Sequence, residues 1–167
     1  MKLWPYFVLL TILTWGAYVP TIHKGQTALG RDSALRAFLF IGFAYFLVSV
    51  VVIVYVWMTG AEKWEFTGRG MTISTFAGVL GALGALGIAF ALKPESGGKP
   101  LFVAPLVFAG APIVNTLVAM LLDKPEKSPS PMFYVGILMA AAGAGLVLKY
   151  KPVAAPHAPV AVEIKNS

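Results

Sequence analysis

All twenty Asp, Glu, Lys and Arg residues of this chain fall outside five uncharged stretches, 3–22, 37–61, 70–92, 100–122 and 128–148. The stretches hold 20, 25, 23, 23 and 21 residues, together 112 of the 167 in the chain. A helix rises about 1.5 Å per residue, so roughly 20 residues cross a hydrocarbon core about 30 Å thick. Each stretch is long enough, and in lipid each must satisfy its own backbone hydrogen bonds. The chain is therefore expected to be all-α, a polytopic membrane protein built as a bundle of five transmembrane helices. Charged residues make up 12% of it, against about 25% in an ordinary soluble domain. That composition excludes a soluble globular enzyme, and the absence of cysteine excludes a disulfide scaffold and thiolate metal sites.

The spacing predicts spans at 3–20, 34–58, 71–92, 101–122 and 132–148, forming one five-helix unit over 1–150. A tail at 151–167, with Pro152, Pro156 and Pro159, is expected to be disordered. Pro20 is expected to end the first helix, leaving 23–36 as a connecting segment broken at Gly25 and Gly30. Asp32 or Ser33 is placed to cap the second helix, and Gly60 to close it. Pro105 and Pro112 are expected to interrupt the fourth helix, and 123–131 reads as a polar, proline-rich hinge. The N-terminal apolar run exceeds the 7–15 residues of a signal-peptide core, and no Ala-x-Ala site follows it, so it is expected to be retained as the first span. Trp4, Tyr6 and Tyr18 suit the two headgroup levels.

Thirteen Lys and Arg face seven Asp and Glu, for a net charge of +6. The basic residues are scattered along short loops rather than clustered, which fits anchoring to lipid headgroups and not a nucleic-acid partner. With five spans, one side carries Lys2, Lys63, Arg69, Lys124 and Lys127. The other carries Lys24, Arg31, Arg36, Lys93, Lys99, Lys149, Lys151 and Lys165. Positive charge collects in the cytoplasm, so the N-terminus is expected outside and the C-terminus inside, in the cytoplasmic membrane.

No Asp, Glu, Lys, Arg or His lies within the five stretches. Buried membrane carboxylates and histidines mark proton relays and ion paths, so this chain is expected to lack such an engine, and to hold no metal or cofactor. Helix three carries Gly78, Gly81, Gly84 and Gly87 at steps of three, and Gly136 and Gly143 lie on helix five. Small residues let membrane helices approach closely; the ladder reads as packing within the bundle, or as a subunit interface or mobile element. On helix four, Pro112 frees a backbone carbonyl and is followed by Asn115 and Thr116, as in the broken helices where many transporters bind substrate. A packing kink with Asn115 bonded to a neighbouring helix is the alternative. Thr11, Thr14, Trp15 and Tyr18 share one face of helix one, and Tyr45 and Ser49 form a similar pair on helix two. Together they read as a polar, aromatic path, although threonine and serine also bond to their own helix.

The order of these features resembles one five-helix unit of the drug/metabolite transporter superfamily, of the EamA-like type. The resemblance rests on Trp15-Gly16 in helix one and on Ala34-Leu35-Arg36-Ala37-Phe38 opening helix two. It continues with Ala91-Leu92-Lys93 ending helix three and with Val103-Ala104-Pro105-Leu106 and Ala111-Pro112-Ile113 in helix four. Leu121-Leu122-Asp123-Lys124-Pro125 follows, and helix five has two glycines seven apart, Gly136 and Gly143. Such transporters usually join two units in ten helices, whereas this chain holds one, and Asp123 stands where the family has Glu. The glutamate on which the smaller four-helix multidrug relatives depend is absent from helix one. The resemblance implies a permease for small metabolites or drug-like solutes acting as a homodimer, without a known substrate. A non-transporting membrane subunit or scaffold of the same fold is the alternative. An enzyme is not expected, because no nucleophile–base or metal constellation is present.

Overall fold

The computed structural model describes residues 3–30, 33–122 and 128–152. It is an all-α bundle: α1 (Trp4–Leu29), α2 (Ala34–Thr59), α3 (Gly68–Ala91), α4 (Pro100–Leu122) and α5 (Pro131–Lys149). Each of the five is long and apolar enough to cross a membrane, and the protein is an integral membrane protein. The Asp32 cap, the Asp123-Lys124-Pro125 motif and nearly all of the expected disordered tail lie outside the described residues.

The first helix does not stop at Pro20. It continues for nine residues to Leu29, with Pro20 inside it and Gly25 in regular helix rather than at a break. A proline inside a helix removes one backbone bond, here the one to the Gly16 carbonyl. The residues beyond it are held by tertiary contacts: Ile22 is buried in the core beside Val19, and Gln26 Nε2 donates to the Ala89 carbonyl at 2.7 Å. Ala89 stands in the last turn of α3, where carbonyls lack helical donors. Lys93 N–H, the donor Ala89 would otherwise use, turns to Phe90 instead. Gln26 therefore caps α3 from α1. Ser33 precedes α2 but does not cap it with its side chain; its hydroxyl donates to the Gln26 carbonyl at 2.8 Å.

The remaining ends follow local chemistry. Gly60 closes α2 in the left-handed region at φ 62°, which favours glycine. Thr67 accepts from the Gly70 N–H and caps α3. Between α3 and α4 a 3-10 turn, Pro94–Ser96, brings Gly98 so close to α3 that a Cβ there would collide with the Ala91 carbonyl. Helix α4 runs unbroken through Pro105 and Pro112, so these prolines do not interrupt it. Each still frees one carbonyl, of Leu101 and Phe108 respectively.

Helix α1 packs against α2, α3 and α4; α2 also packs on α3, and α5 lies against α4. The buried residues collect at one end of the bundle, where α1 finishes, α2 begins, α3 finishes and α4 begins. Val19, Ile22, Ile88, Leu92 and Val103 form the core there, backed by Ile41 and Phe102. Lys151, just past α5, lies over the Phe102 ring at 4.9 Å, so the end of α5 shares this side. Toward the other end the helices expose their apolar side chains, as membrane helices do when lipid is the solvent.

Candidate functional site

Above the packed end, α1, α2, α3 and α4 border a cavity of about 400 Å³. Trp15 and Tyr18 reach it from α1 and Tyr45 from α2. Gly81, Gly84 and Gly87 form its α3 wall, with Val103, Val107 and Ala111 on α4. The lining follows helical spacing on each element: steps of three on α3 and of four on α4. Trp15 and Tyr18 hold their ring centroids 6.3 Å apart, and Phe108 meets Trp15 edge-on at 6.2 Å. Such rings offer flat faces to an apolar or aromatic solute. The Tyr18 hydroxyl is buried and has no hydrogen-bond partner among the described residues.

The glycines create room rather than contact. A Cβ added at Gly78, Gly81, Gly84 or Gly87 would meet nothing within 4 Å, and the same holds at Gly136 and Gly143. Among the described residues, tight helix packing at these positions is therefore not realised. Helix α5 packs on α4, so its small face does not close against the ladder of α3. On α3 the missing side chains leave an open floor opposite Trp15 and Tyr45, which are 51% and 55% exposed.

The expected path residues divide. Trp15, Tyr18 and Tyr45 come together in the cavity. Thr11 borders a neighbouring recess of about 370 Å³, shared with Trp15, Gly16 and Phe108. Its hydroxyl donates to the Phe7 carbonyl, that of Thr14 to Leu10, and that of Ser49 to Tyr45, each at 2.9 Å. These hydroxyls serve their own helices.

Pro112, Asn115 and Thr116 do not line the cavity. Asn115 continues the Val103–Val107–Ala111 face but sits one turn beyond it, about 6 Å further along the axis. There it is exposed and has no hydrogen-bond partner among the described residues. The Asn115 bond to a neighbouring helix is thus absent within the described chain.

Phe108 and the Gln26–Ser33 tie were not expected. Phe108 carried no distinguishing signal in an apolar helix. Gln26 was legible in principle, because Val19, Ile22, His23 and Gln26 continue one helical face past Pro20. Among the described residues no three His, Cys, Asp or Glu side chains come together. Comparison with known protein families, with curated proteins and with solved structures found no match for this chain.

Proposed function

We propose that this protein is a permease of the cytoplasmic membrane for small metabolites or drug-like solutes, working as a homodimer of five-helix units. The observation that carries this reading is the convergence of Trp15, Tyr18 and Tyr45 on one cavity floored by open glycines. Solute cavities in membrane helices are built from a few polar groups on an otherwise apolar wall, and here the buried Tyr18 hydroxyl is such a group. The dimer follows from enclosure. One wall of the cavity is open, and five helices from a second copy complete it. An odd number of spans makes two joined units inverted relative to each other, the arrangement of inverted-repeat transporters. The basic end of the bundle, with Lys24, Lys93, Lys99 and Lys151, faces the cytoplasm in this reading, and no enzymatic step is involved.

The experiment is flux of fluorescent aromatic solutes into proteoliposomes, comparing the wild type with Gly84→Leu, which fills the floor of the cavity. Flux that is protein-dependent and lost in Gly84→Leu supports the permease; wild-type flux equal to that of empty vesicles refutes it. A C-terminal tag reachable from one side only would eliminate the inverted dimer while leaving a parallel one.

A non-transporting assembly subunit is favoured by surface left unpacked: the exposed Asn115 amide on α4, without a partner among the described residues, and the open glycine ladder on α3. It predicts that Asn115→Leu and Gly78→Leu disrupt oligomers while Tyr18→Phe changes nothing.

A further inference from the structure

Between α1 and α4 lies the recess of about 370 Å³ bordered by Thr11, Ile12, Trp15, Gly16 and Phe108. Gly16 is the thirteenth of the 26 residues of α1 and Phe108 the ninth of the 23 of α4, so both stand inside the hydrocarbon. Apart from Trp15, the recess shares no lining residue with the mid-bundle cavity. Along α1 and α4 it lies nine residues or more, about 13 Å, from any undescribed residue.

Two helix interruptions meet at this recess. A proline lacks the N–H that would bond the carbonyl four residues back. Pro20 thereby frees the Gly16 carbonyl on α1, and Pro112 frees the Phe108 carbonyl on α4. Both residues line the recess. Gly16 has no side chain, so it borders the space with its backbone, and a Cβ there would meet nothing within 4 Å. The hydroxyls nearest along α1 are spent elsewhere: Thr11 donates to Phe7 and Thr14 to Leu10, each at 2.9 Å, and Thr21 to Ala17 at 2.7 Å. Among the described residues no hydroxyl or amide side chain donates to either freed carbonyl. An acceptor without a donor is costly in hydrocarbon, where no water replaces the missing bond.

The walls are aromatic. Trp15 and Phe108 meet edge-on with ring centroids 6.2 Å apart. An apolar cavity of about 150 Å³ holds one benzene ring, so this recess has room for two fused rings. No Asp or Glu lies within the spans, so a cationic donor would enter without a counter-ion. The donor that suits the recess is uncharged.

We propose that this recess binds an uncharged bicyclic aromatic compound of the indole type, its rings against Trp15 and Phe108 and its N–H donating to one of the carbonyls freed by Pro20 and Pro112. The proposal goes beyond the permease reading and is read out by binding, without flux. Protein that binds in this way but carries no solute would sink the permease and leave the site standing.

The test is equilibrium dialysis of radiolabelled indole and 1-methylindole against the full chain in phosphatidylcholine nanodiscs, with empty discs as the baseline. The two ligands differ at the nitrogen, which in 1-methylindole has no N–H. The wild type is expected to bind indole about fivefold more tightly. Pro20→Ala and Pro112→Ala each return an N–H to the helix where it bonds the freed carbonyl. Neither proline borders the recess, so its lining is kept. The preference for indole should fall to near unity in one of the two variants, which identifies the carbonyl, while 1-methylindole binds as before. Phe108→Leu removes an aromatic wall and no acceptor, and should weaken both ligands alike. Without ligand, each proline variant is expected to unfold at a higher midpoint than the wild type, the mark of a carbonyl that has gained a donor. Equal binding of the two ligands by the wild type, a preference undiminished in both proline variants, or midpoints unchanged in both would overturn the proposal.

Discussion

Replacing Tyr18 by phenylalanine separates a structural hydroxyl from one held ready for a ligand. The Tyr18 hydroxyl is buried and lacks a partner among the described residues, and burying an unpaired polar group costs roughly 1–3 kcal/mol. Phenylalanine removes that group and nothing else. The ring keeps its place 6.3 Å from Trp15 and against the Val19–Ile22–Val103 core, so no cavity is created. The empty protein is therefore expected to gain about 1 kcal/mol in stability, the low end of that range because part of the penalty is relieved by neighbouring dipoles. A solute that bonds to the hydroxyl loses about 0.5–1.5 kcal/mol, so its flux should fall roughly two- to thirteenfold at subsaturating concentration. The assay pairs reversible unfolding in mixed micelles with solute flux in proteoliposomes, on the same preparations. If Tyr18→Phe instead lowers stability by 1 kcal/mol or more, the hydroxyl is already bonded in the empty protein and its place in a solute site is refuted.

Three further outcomes are expected. Gly84→Leu should abolish flux with little change in unfolding midpoint, because its Cβ enters open space; a large loss of stability would place another helix there. Gly98→Ala should destabilise the fold by roughly 3 kcal/mol or more, measured in the same micelles. Its Cβ would strike the Ala91 carbonyl, and Val103 Cγ2 stands 3.1 Å away, so no side-chain rotation relieves it. Pro20→Ala should stabilise by about 1–3 kcal/mol, because α1 already runs as a helix through Pro20 and alanine restores the bond to Gly16; no gain would mean the Gly16 carbonyl has found another donor.

The five helices were legible because charge is forbidden in hydrocarbon, and that rule leaves a mark at every boundary. The end set by glycine chemistry at Gly60 falls where the spacing predicts it. Pro20 misled because its cost of about 3 kcal/mol is a local quantity, whereas the helix beyond it is held by Ile22 and the Gln26–Ala89 bond. Those partners are 63 residues apart, and no local pattern encodes them. Within the candidate site, the aromatic members Trp15, Tyr18 and Tyr45 were found because an aromatic group with a polar tip is conspicuous in an aliphatic span. Pro112 and Asn115 were conspicuous for the same reason. Their spacing put Asn115 on the face of Ala111 but did not give the depth at which the bundle opens, and depth decides what lines a cavity.

The polar chemistry of this chain is divided by depth. Within the spans it consists of neutral groups: the Tyr18 hydroxyl, indole and phenol rings, and the Leu101 and Phe108 carbonyls released by Pro105 and Pro112. At the packed end it consists of the Lys93 ammonium and of His23 Nδ1 and Gln26 Oε1, two acceptors without a donor among the described residues, around one small cavity. A neutral lining is suited to recognising an uncharged or aromatic solute, since a charged one would enter hydrocarbon without a counter-ion, at a cost of several kcal/mol. The joint between the two regions is the last turns of α1 and α3, where Tyr18 stands two turns from Gln26 and Ile88 one residue from Ala89. The Gln26–Ala89 bond ties those turns together.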